Sequence, residues 1–319
     1  MICNFFNDII KNKNTCLIIP HQSPDGDCLG SSYALSSFFD EIGLKNMIAM
    51  NDVIPTNFSF LKKDNMLTDE EILGLNIKFD VTIVLDTSSL DRIGASKEVV
   101  ALGETILVID HHKTNTKFGD YNVVKEASSV GEIIFEMMKE QDYVISKDVA
   151  KGLYTSIVTD TGEFRYTNTT SSTLKVAGEL FDTGFEFSKI NKEIFSNKPL
   201  NQVRMQSKVL SDMQLYENHK IIVFKASQAL LEELSCEMFQ TDGIVEAGRD
   251  IEGCEVSVLL KEQDSNKIKV SMRSNHYVDV SEVSLIFNGG GHSRAAGCTL
   301  NMTLDEAEQL IVKTLKDFI

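Results

Sequence analysis

Short apolar runs that each end in a histidine or an aspartate constrain the fold of this chain most strongly. The clearest three are residues 15–20 before His21, 81–85 before Asp86, and 105–109 before Asp110. Apolar runs of this length, bounded by polar residues, are typical of buried strands. Between them the apolar residues follow helical spacing, as from Leu29 to Ile42. This alternation predicts an α/β fold whose N-terminal domain has a parallel sheet flanked by helices.

Polar residues at the carboxyl ends of these strands are candidate ligands, because open α/β sheets bind ligands at that edge. Taken singly, an aspartate at such a place is most often a turn or cap residue. Together, four groups would meet in one crevice if their strands are neighbours. The candidates are His21, Asp25 and Asp27 in the first loop, Asp86, the run Asp110-His111-His112, and Asp160 near the end of a predicted helix.

The carboxylates of such a crevice would repel each other unless cations balance them. Two divalent cations would do so. Carboxylate and imidazole ligands suit Mn²⁺ or Mg²⁺, and the imidazoles favour Mn²⁺. Two metals about 3.5–4 Å apart are the usual apparatus for attack of water on a phosphorus centre. The sequence therefore predicts a metal-dependent phosphoesterase.

Charge and hydropathy narrow the range of partners. The net charge of −16 over 319 residues argues against a long nucleic-acid duplex, which usually needs a basic face. No apolar segment approaches the length of a membrane span, and no secretory signal pattern is evident. The six cysteines form no Cys-x-x-Cys pair. We expect a cytoplasmic protein without a membrane partner.

A second, smaller α/β domain is predicted over residues 217–319, after a first domain at 1–185 and a helical linker at 186–216. It contains Ser271-Met-Arg273-Ser and a Gly-Gly-Gly-His run at 289–292. Consecutive glycines let backbone N–H groups approach a phosphate, and an arginine can grip one bidentately. A Gly-rich turn beside an exposed arginine remains the alternative interpretation.

These motifs, in this order, resemble the DHH phosphoesterase superfamily. The matching features are His21-x-x-x-Asp25-x-Asp27, the strand-end Asp86, Asp110-His111-His112 and Asp160-Thr-Gly. The stretch from Ser271 to Gly297 looks like the DHH-associated domain of that superfamily, so the resemblance covers nearly the whole chain. It implies a catalytic domain followed by a substrate-binding domain.

The resemblance also implies a role for each candidate residue. His21, Asp25 and Asp86 would hold one metal, and Asp27, Asp86, His111 and Asp160 the other, with Asp86 bridging. His112 would contact the scissile phosphate, while Asp110 would orient its neighbours. The implied substrate-binding residues are Ser271, Arg273, Gly289, Gly290, Gly291, His292 and Arg294.

The activity implied by the resemblance is hydrolysis of short oligoribonucleotides to mononucleotides and of 3′-phosphoadenosine 5′-phosphate (pAp) to AMP. The RNA would be about 2–5 nucleotides long, since each further phosphate adds repulsion. Alternatives are a phosphodiesterase for pApA, in cyclic di-AMP turnover, and a nucleotide-binding module without catalysis. An inorganic pyrophosphatase would need a more basic C-terminal domain. Preferred substrate, cleavage direction, physiological metal and oligomeric state stay open, a homodimer included.

Overall fold

Two compact units make up the computed structural model, which describes Phe6 and residues 11–319. The first ends at Asn197 and the second begins at Lys198. The segment 186–216, predicted as a helical linker, is shared between them: a short helix and a π-helical turn fall in the first unit, and a longer helix and a strand in the second.

The first unit is built on a six-stranded sheet in which every described neighbouring pair is parallel. The strands are β1 Thr15–Ile19, β2 Lys45–Ala49, β3 Met66–Leu67, β4 Val81–Leu85, β5 Ile106–Asp110 and β6 Tyr121–Val124. Their order is β3-β2-β1-β4-β5-β6. The predicted parallel α/β sheet is confirmed.

Helices cover this sheet on both faces. They are α1 Gly26–Glu41, α2 Asp69–Gly74, α3 Lys97–Val100, α4 Val130–Lys139, α5 Lys147–Asp160, α6 Ser171–Asp182 and α7 Phe187–Asn191, followed by a π-helical turn at Lys192–Ser196. Short 3₁₀ turns lie at Thr56–Leu61 and Leu90–Arg92. One apolar cluster joins α1, α4, α5 and α6 to the sheet, and a second fills the opposite face beside α2 and α3.

Helices α1 and α5 cross at two glycines. A Cβ atom on Gly30 would lie 2.6 Å from the carbonyl oxygen of Gly152, and one on Gly152 would lie 2.6 Å from that of Gly30. A side chain at either position would push the helices apart. This close crossing places the start of α1 beside the end of α5, where Asp27 and Asp160 lie.

In the sequence, Ser129 followed by Glu132 three residues later predicts a capping box at the start of α4, and this capping box is only half formed. The Ser129 hydroxyl accepts from the backbone N–H of Glu132 at 3.2 Å, as expected. The Glu132 carboxylate, however, accepts from the backbone N–H of Ser128 at 3.0 Å and from the Thr173 hydroxyl at 3.0 Å. This buried glutamate ties α4 to α6 instead of closing its own helix end.

The second unit contains a mixed six-stranded sheet of order β11-β12-β10-β9-β8-β7. Its strands are β7 Gln214–Tyr216, β8 Ile221–Ala226, β9 Val256–Asp264, β10 Lys267–Ser274, β11 Gly290–His292 and β12 Ala295–Leu300. Only β8 and β9 pair in parallel among the described strands. The helices are α8 Leu200–Ser211, α9 Gln228–Glu233, α10 Ile244–Arg249, α11 Val280–Ile286 and α12 Leu304–Leu315, with a 3₁₀ turn at Met238–Thr241.

Within the predicted linker, the sequence pattern of residues 201–216 predicts one helix, but the observed helix is shorter at its C-terminal end. Helix α8 ends at Ser211, and residues 214–216 form β7, which pairs antiparallel with β8. Met205 and Val209 of α8 are buried in a core cluster of the second unit. Across residues 11–319, no helix combines the length and the apolar character needed to span a membrane.

Candidate metal centre

The sheet of the first unit has a topological switch between β1 and β4. After β1 the chain builds outward through β2 and β3, then returns to place β4 on the other side of β1. Such a switch leaves a crevice at the carboxyl ends of the two central strands. His21 and Asp86 lie at these ends, and Asp110 is the last residue of the next strand, β5.

His21 is buried between two carboxylates. Its Nδ1 lies 2.8 Å from the carbonyl oxygen of Gln22, a geometry in which Nδ1–H donates. Its Nε2 lies 3.4 Å from Asp86 Oδ2 and 3.8 Å from Asp25 Oδ1. The backbone thus fixes the ring, and Nε2 faces the acidic side of the crevice.

His111 repeats this arrangement with other partners. Its Nδ1 lies 3.3 Å from the carbonyl oxygen of Ala127. Its Nε2 lies 3.6 Å from Asp86 Oδ1, 3.7 Å from Asp27 Oδ2 and 3.9 Å from Asp160 Oδ2. One nitrogen therefore faces three carboxylates.

These spacings fit donor atoms that share cations. Two ligand atoms each about 2.1 Å from one cation stand about 3–4.2 Å apart. The separations of 3.4–3.9 Å at His21 and His111 lie within that range and are longer than an ordinary hydrogen bond. Asp86 Oδ1 is buried without a hydrogen-bond partner. Such an atom is costly unless something binds it. Three groups have donor atoms all within 4.8 Å of one another: His21, Cys28 and Asp86; Asp86, His111 and His112; Asp27, His111 and Asp160.

Asp27 is held in place by the start of α4. Its Oδ2 accepts from the backbone N–H of Val130 at 2.9 Å, and its Oδ1 accepts from the Ser156 hydroxyl at 2.5 Å. A helix N-terminus favours a carboxylate. Hydrogen bonds from α4 and α5 therefore fix the position of the Asp27 carboxylate. Burial and the Asp86 carboxylate raise its pKa.

The Asp110 carboxylate contacts both histidines that follow it in the chain. Its Oδ1 accepts from the backbone N–H of His111 at 2.9 Å and lies 2.7 Å from His112 Nδ1. Its Oδ2 accepts from the Asn115 side chain at 2.6 Å. These contacts suit the orienting role that the resemblance implies for Asp110, which remains a prediction.

Asp25 and Asp160 are the more open members of the group. The Oδ1 of Asp25 caps α1 by accepting from the backbone N–H groups of Asp27 and Cys28, and its side chain is 62% exposed. Asp160 ends α5, and its Oδ2 accepts from the Asn168 amide at 3.2 Å. Among the described residues, Asp25 belongs to none of the three tight donor groups.

Proton affinities in the cluster reflect this crowding. Burial lowers the pKa of His111, but the carboxylates of Asp86, Asp27 and Asp160 outweigh it and raise that pKa to about 11. Burial, with repulsion from Asp25 and Asp86, raises the pKa of Asp160 to about 7. Burial also opposes ionisation of Asp86, but the adjacent histidines hold its pKa far below the usual range. Without cations, these shifts favour the protonated forms of His111 and Asp160 near neutral pH.

In the second unit, Arg273 lies on β10 beside an acidic partner. Its Nη2 and Nε lie 3.0 and 3.1 Å from Glu246 Oε1 on α10. Ser271 lies two residues before it on the same face of the strand. A phosphate bound by Arg273 would therefore compete with, or join, this ion pair.

The Gly-Gly-Gly-His run forms a tight edge of the second sheet. Gly290, Gly291 and His292 make up β11 against β12. Gly291 has φ of +142°, and a Cβ on Gly289 would lie 2.3 Å from the carbonyl oxygen of Gly297. Gly289 and Gly291 are thus needed for this close backbone approach, whereas a Cβ on Gly290 would meet nothing within 4 Å.

The side chain of Arg294 makes hydrogen bonds to backbone groups of the second unit. Its guanidinium donates to the carbonyl oxygen of Val278 at 2.8 Å and to that of His276. These bonds hold the loop after β10, so the contact of Arg294 with substrate remains a prediction.

Sequence reasoning missed two lysines on the Arg273 face of the second sheet. Lys261 of β9 and Lys269 of β10 are direct antiparallel partners, and Lys261 is buried, with its Nζ 3.8 Å from Asp242 Oδ1. Like charges placed opposite each other are unfavourable unless an anion offsets them. Lys269, Ser271 and Arg273 are alternate residues of one strand and therefore lie on one face of it. This alternation was the signal in the sequence that could have identified Lys269. Cys28 was also missed, because the sequence shows it only as one of six cysteines without a Cys-x-x-Cys partner.

Comparison with known proteins supports the same picture. Residues 15–157 match the DHH family N-terminal domain, and residues 219–319 match the DHHA1 domain. The chain is 31% identical to the bifunctional oligoribonuclease and PAP phosphatase NrnA of Bacillus subtilis (strain 168), over 95% of this chain and 94% of that protein. For the protein of the same description from Thermus thermophilus, the identity is 29%, over 94% of this chain and 89% of the relative.

A solved structure shares the complete fold. An exopolyphosphatase-related protein from Bacteroides fragilis superposes with a TM-score of 0.92 at 25% identity, covering 99% of this chain and 96% of that one. The fold and the family matches together define a hydrolase acting on phosphate esters. The chain belongs to the DHH family and carries a DHHA1 domain in its second unit.

Proposed function

We propose that the chain hydrolyses short oligoribonucleotides to mononucleotides and pAp to AMP, with two divalent cations, Mn²⁺ foremost, held by the first unit. The observation that carries this proposal is Asp86, a buried carboxylate whose two oxygens face His21 and His111 separately. An acid placed in this way between two imidazoles suits a bridging ligand.

The ligands would divide into two sets. His21, Asp86 and Asp25 would hold one cation, and Asp27, Asp86, His111 and Asp160 the other. When bound, the cations supply Lewis-acid activation of water and of the phosphorus centre. Oxygen and nitrogen donors of this kind accept Mn²⁺ or Mg²⁺.

His112 would bind the scissile phosphate through its ring. Asp110 Oδ1 lies 2.7 Å from the Nδ1 of that ring, a geometry in which Nδ1–H donates to the carboxylate. A histidine so oriented can donate a hydrogen bond to a phosphate oxygen. We assign Asp110 the role of positioning it.

The second unit would bind the rest of the substrate. Arg273 is the main phosphate ligand in this proposal, with Ser271, the Gly289–His292 segment and Arg294 around it. Lys261 and Lys269 add positive charge on the Arg273 face of the sheet. The names of the Bacillus and Thermus relatives state both oligoribonuclease and PAP phosphatase activity, which supports assigning both to one site here.

The test is a substrate panel with purified full-length protein and Mn²⁺. The panel contains pAp, pApA, RNA of increasing length, and inorganic pyrophosphate. Release of AMP from pAp and of mononucleotides from the shortest RNA is expected. Hydrolysis of pyrophosphate alone would overturn the proposal, and a strong preference for pApA would move it to dinucleotide turnover.

Arg273→Ala tests the role of the second unit. If the arginine contacts phosphate in a largely desolvated site, kcat/KM should fall. The fall should correspond to a loss of roughly 2–5 kcal/mol in transition-state binding. Mn²⁺ affinity, measured by calorimetry, should stay unchanged because no proposed metal ligand lies in this unit. Lys313→Gln, an exposed cation on α12, is the matched control and should act as wild type. Unchanged kcat/KM for Arg273→Ala on dinucleotides would refute this role.

A further inference from the structure

Three buried donors of different chemistry meet where β1 ends, α1 begins and β4 ends. They are the imidazole of His21, the thiol of Cys28 and the carboxylate of Asp86. Their donor atoms all lie within 4.8 Å of one another. The exposed fractions of the three residues are 6%, 0% and 4%. This is a nitrogen, sulfur and oxygen donor set in a water-poor position.

The thiol of Cys28 faces the crevice because of its place in α1. It is the third residue of the helix, and its Sγ accepts from the backbone N–H of His21 at 3.3 Å. The S–H points towards the carbonyl oxygen of Leu85 at a longer 3.7 Å. These two contacts fix the sulfur between the end of β1 and the end of β4.

Asp86 supplies the oxygen donor at this position. Its Oδ2 lies 3.4 Å from His21 Nε2, a separation that two ligands of one cation can have. Asp25, by comparison, is mostly exposed and already uses Oδ1 to cap α1. Cys28 is therefore the more deeply placed third donor beside His21 and Asp86.

We infer that Cys28 is a metal ligand together with His21 and Asp86, so that this position prefers Zn²⁺ and other borderline or soft cations over Mn²⁺. Thiolate donors select such cations, whereas imidazole and carboxylate donors alone discriminate less. On binding, the thiol proton passes to solvent and the sulfur gains the cation. The group of Asp27, His111 and Asp160 has no sulfur, so the two positions differ in metal preference. This inference rests on the proposed metal centre.

Cobalt binding gives a direct readout. Full-length protein stripped with chelator is titrated with Co²⁺, and a thiolate-to-cobalt charge-transfer band is sought in the near ultraviolet. Wild type should show the band, and Cys28→Ser should bind Co²⁺ without it. Cys16→Ala, which removes a buried β1 thiol outside the three donor groups, should keep the band. A wild type that binds Co²⁺ with no band, or a Cys28→Ser protein that retains it, overturns the inference.

Metal competition provides the second measurement. Cys28→Ser should weaken Zn²⁺ binding by more than about tenfold, the scale on which even partners of metal ligands act, and Mn²⁺ binding much less. Equal losses for both metals would overturn the inference. If Cys28→Ser does not fold, X-ray absorption of wild type with Zn²⁺ decides: a sulfur neighbour at about 2.3 Å supports the inference and its absence refutes it. No substrate is involved, so failure to cleave RNA or pAp would leave these results standing.

Discussion

At the scale of single residues, Asp86 is the central residue of the proposed metal site. It follows β4 with φ of +54°, a left-handed conformation that asparagine tolerates better than most residues. Both of its oxygens face histidines, and one of them is a buried atom without a hydrogen-bond partner. Replacement by asparagine therefore changes charge with little change in backbone.

Asp86→Asn should nearly abolish activity. The proposed bridge is lost, so both cations weaken, and kcat/KM with Mn²⁺ should fall by at least about 10³-fold. In chelator, the free energy of unfolding should also fall by roughly 1–3 kcal/mol, since His21 and His111 lose the buried negative charge between them. Steady-state kinetics and urea unfolding measure the two effects. Near-normal Mn²⁺-dependent turnover would contradict the bridging role.

The pKa shifts of His111 and Asp160 predict how the metal-free protein responds to pH. The pKa of His111 is raised from 6.5 to about 11, so its stabilisation is complete below about pH 6.5 and is lost as pH rises towards 11. The pKa of Asp160 is raised from 3.8 to about 7, so ionisation of this acid also costs stability as pH rises through that range. Both groups act in the same direction.

In chelator, the melting temperature should therefore fall from about pH 6 to about pH 9, and Mn²⁺ should restore it more at the higher pH. Mn²⁺ binding near neutral pH should release protons, which calorimetry in buffers of different ionisation enthalpy detects. Asp160→Asn should flatten the part of the pH dependence below about 7. Metal binding without proton release would contradict the assignment.

At the scale of elements, the crossing of α1 and α5 decides whether the ligands meet. Gly30 and Gly152 allow the helix backbones to approach closely. The start of α1 carries Asp25 and Asp27, and the end of α5 carries Asp160. Two glycines that are not themselves proposed ligands thus set the spacing of carboxylates on different helices.

Gly152→Ala should lower both stability and metal affinity. The added methyl would meet the Gly30 carbonyl oxygen at 2.6 Å and the Ala34 backbone nitrogen at 2.8 Å, and such overpacking costs about 1–3 kcal/mol. Gly178→Ala in α6 is the control, because its Cβ meets nothing within 4 Å. That change should stabilise by about 0.4–1 kcal/mol. Thermal unfolding and Mn²⁺ calorimetry compare the pair, and equal Mn²⁺ affinity in both variants would refute the coupling.

Patterns within short segments of the sequence predicted many of the helices and strands and the acidic residues at the carboxyl edge of the first sheet. The apolar spacing of residues 171–182 predicts a helix, and α6 spans these residues because that spacing lies within one segment. Strand β7 was missed because it forms by pairing with β8 across a turn at residues 217–219, all with positive φ. The lysine pair 261 and 269 and the approach of Cys28 to Asp86 likewise depend on pairing between distant segments. Spacing along the chain does not encode such contacts.

At the scale of the whole molecule, charge opposes long substrates. The chain carries −16 overall, and the proposed phosphate ligands are few. Each added nucleotide brings a negative charge without a matching cation. Substrate length should therefore be limited by repulsion as well as by the size of the site.

Activity should be highest on RNA of about 2–5 nucleotides and should fall with further length. The decline should become shallower as salt rises, because added ions screen the repulsion. Rates on a 3-mer and a 24-mer, measured across a salt series, test this expectation. Equal rates at low salt would show that repulsion does not set the length preference.

The order in which the ligands are synthesised also matters, since they run from His21 to Asp160 and include both sides of the β1–β4 switch. A ribosome-bound chain exposes the first donors long before the last helix leaves the exit tunnel. Cation capture by the full set therefore has to wait until nearly the entire first unit has been translated and packed. A nascent fragment that ends before Asp160 would therefore lack the complete set of proposed ligands.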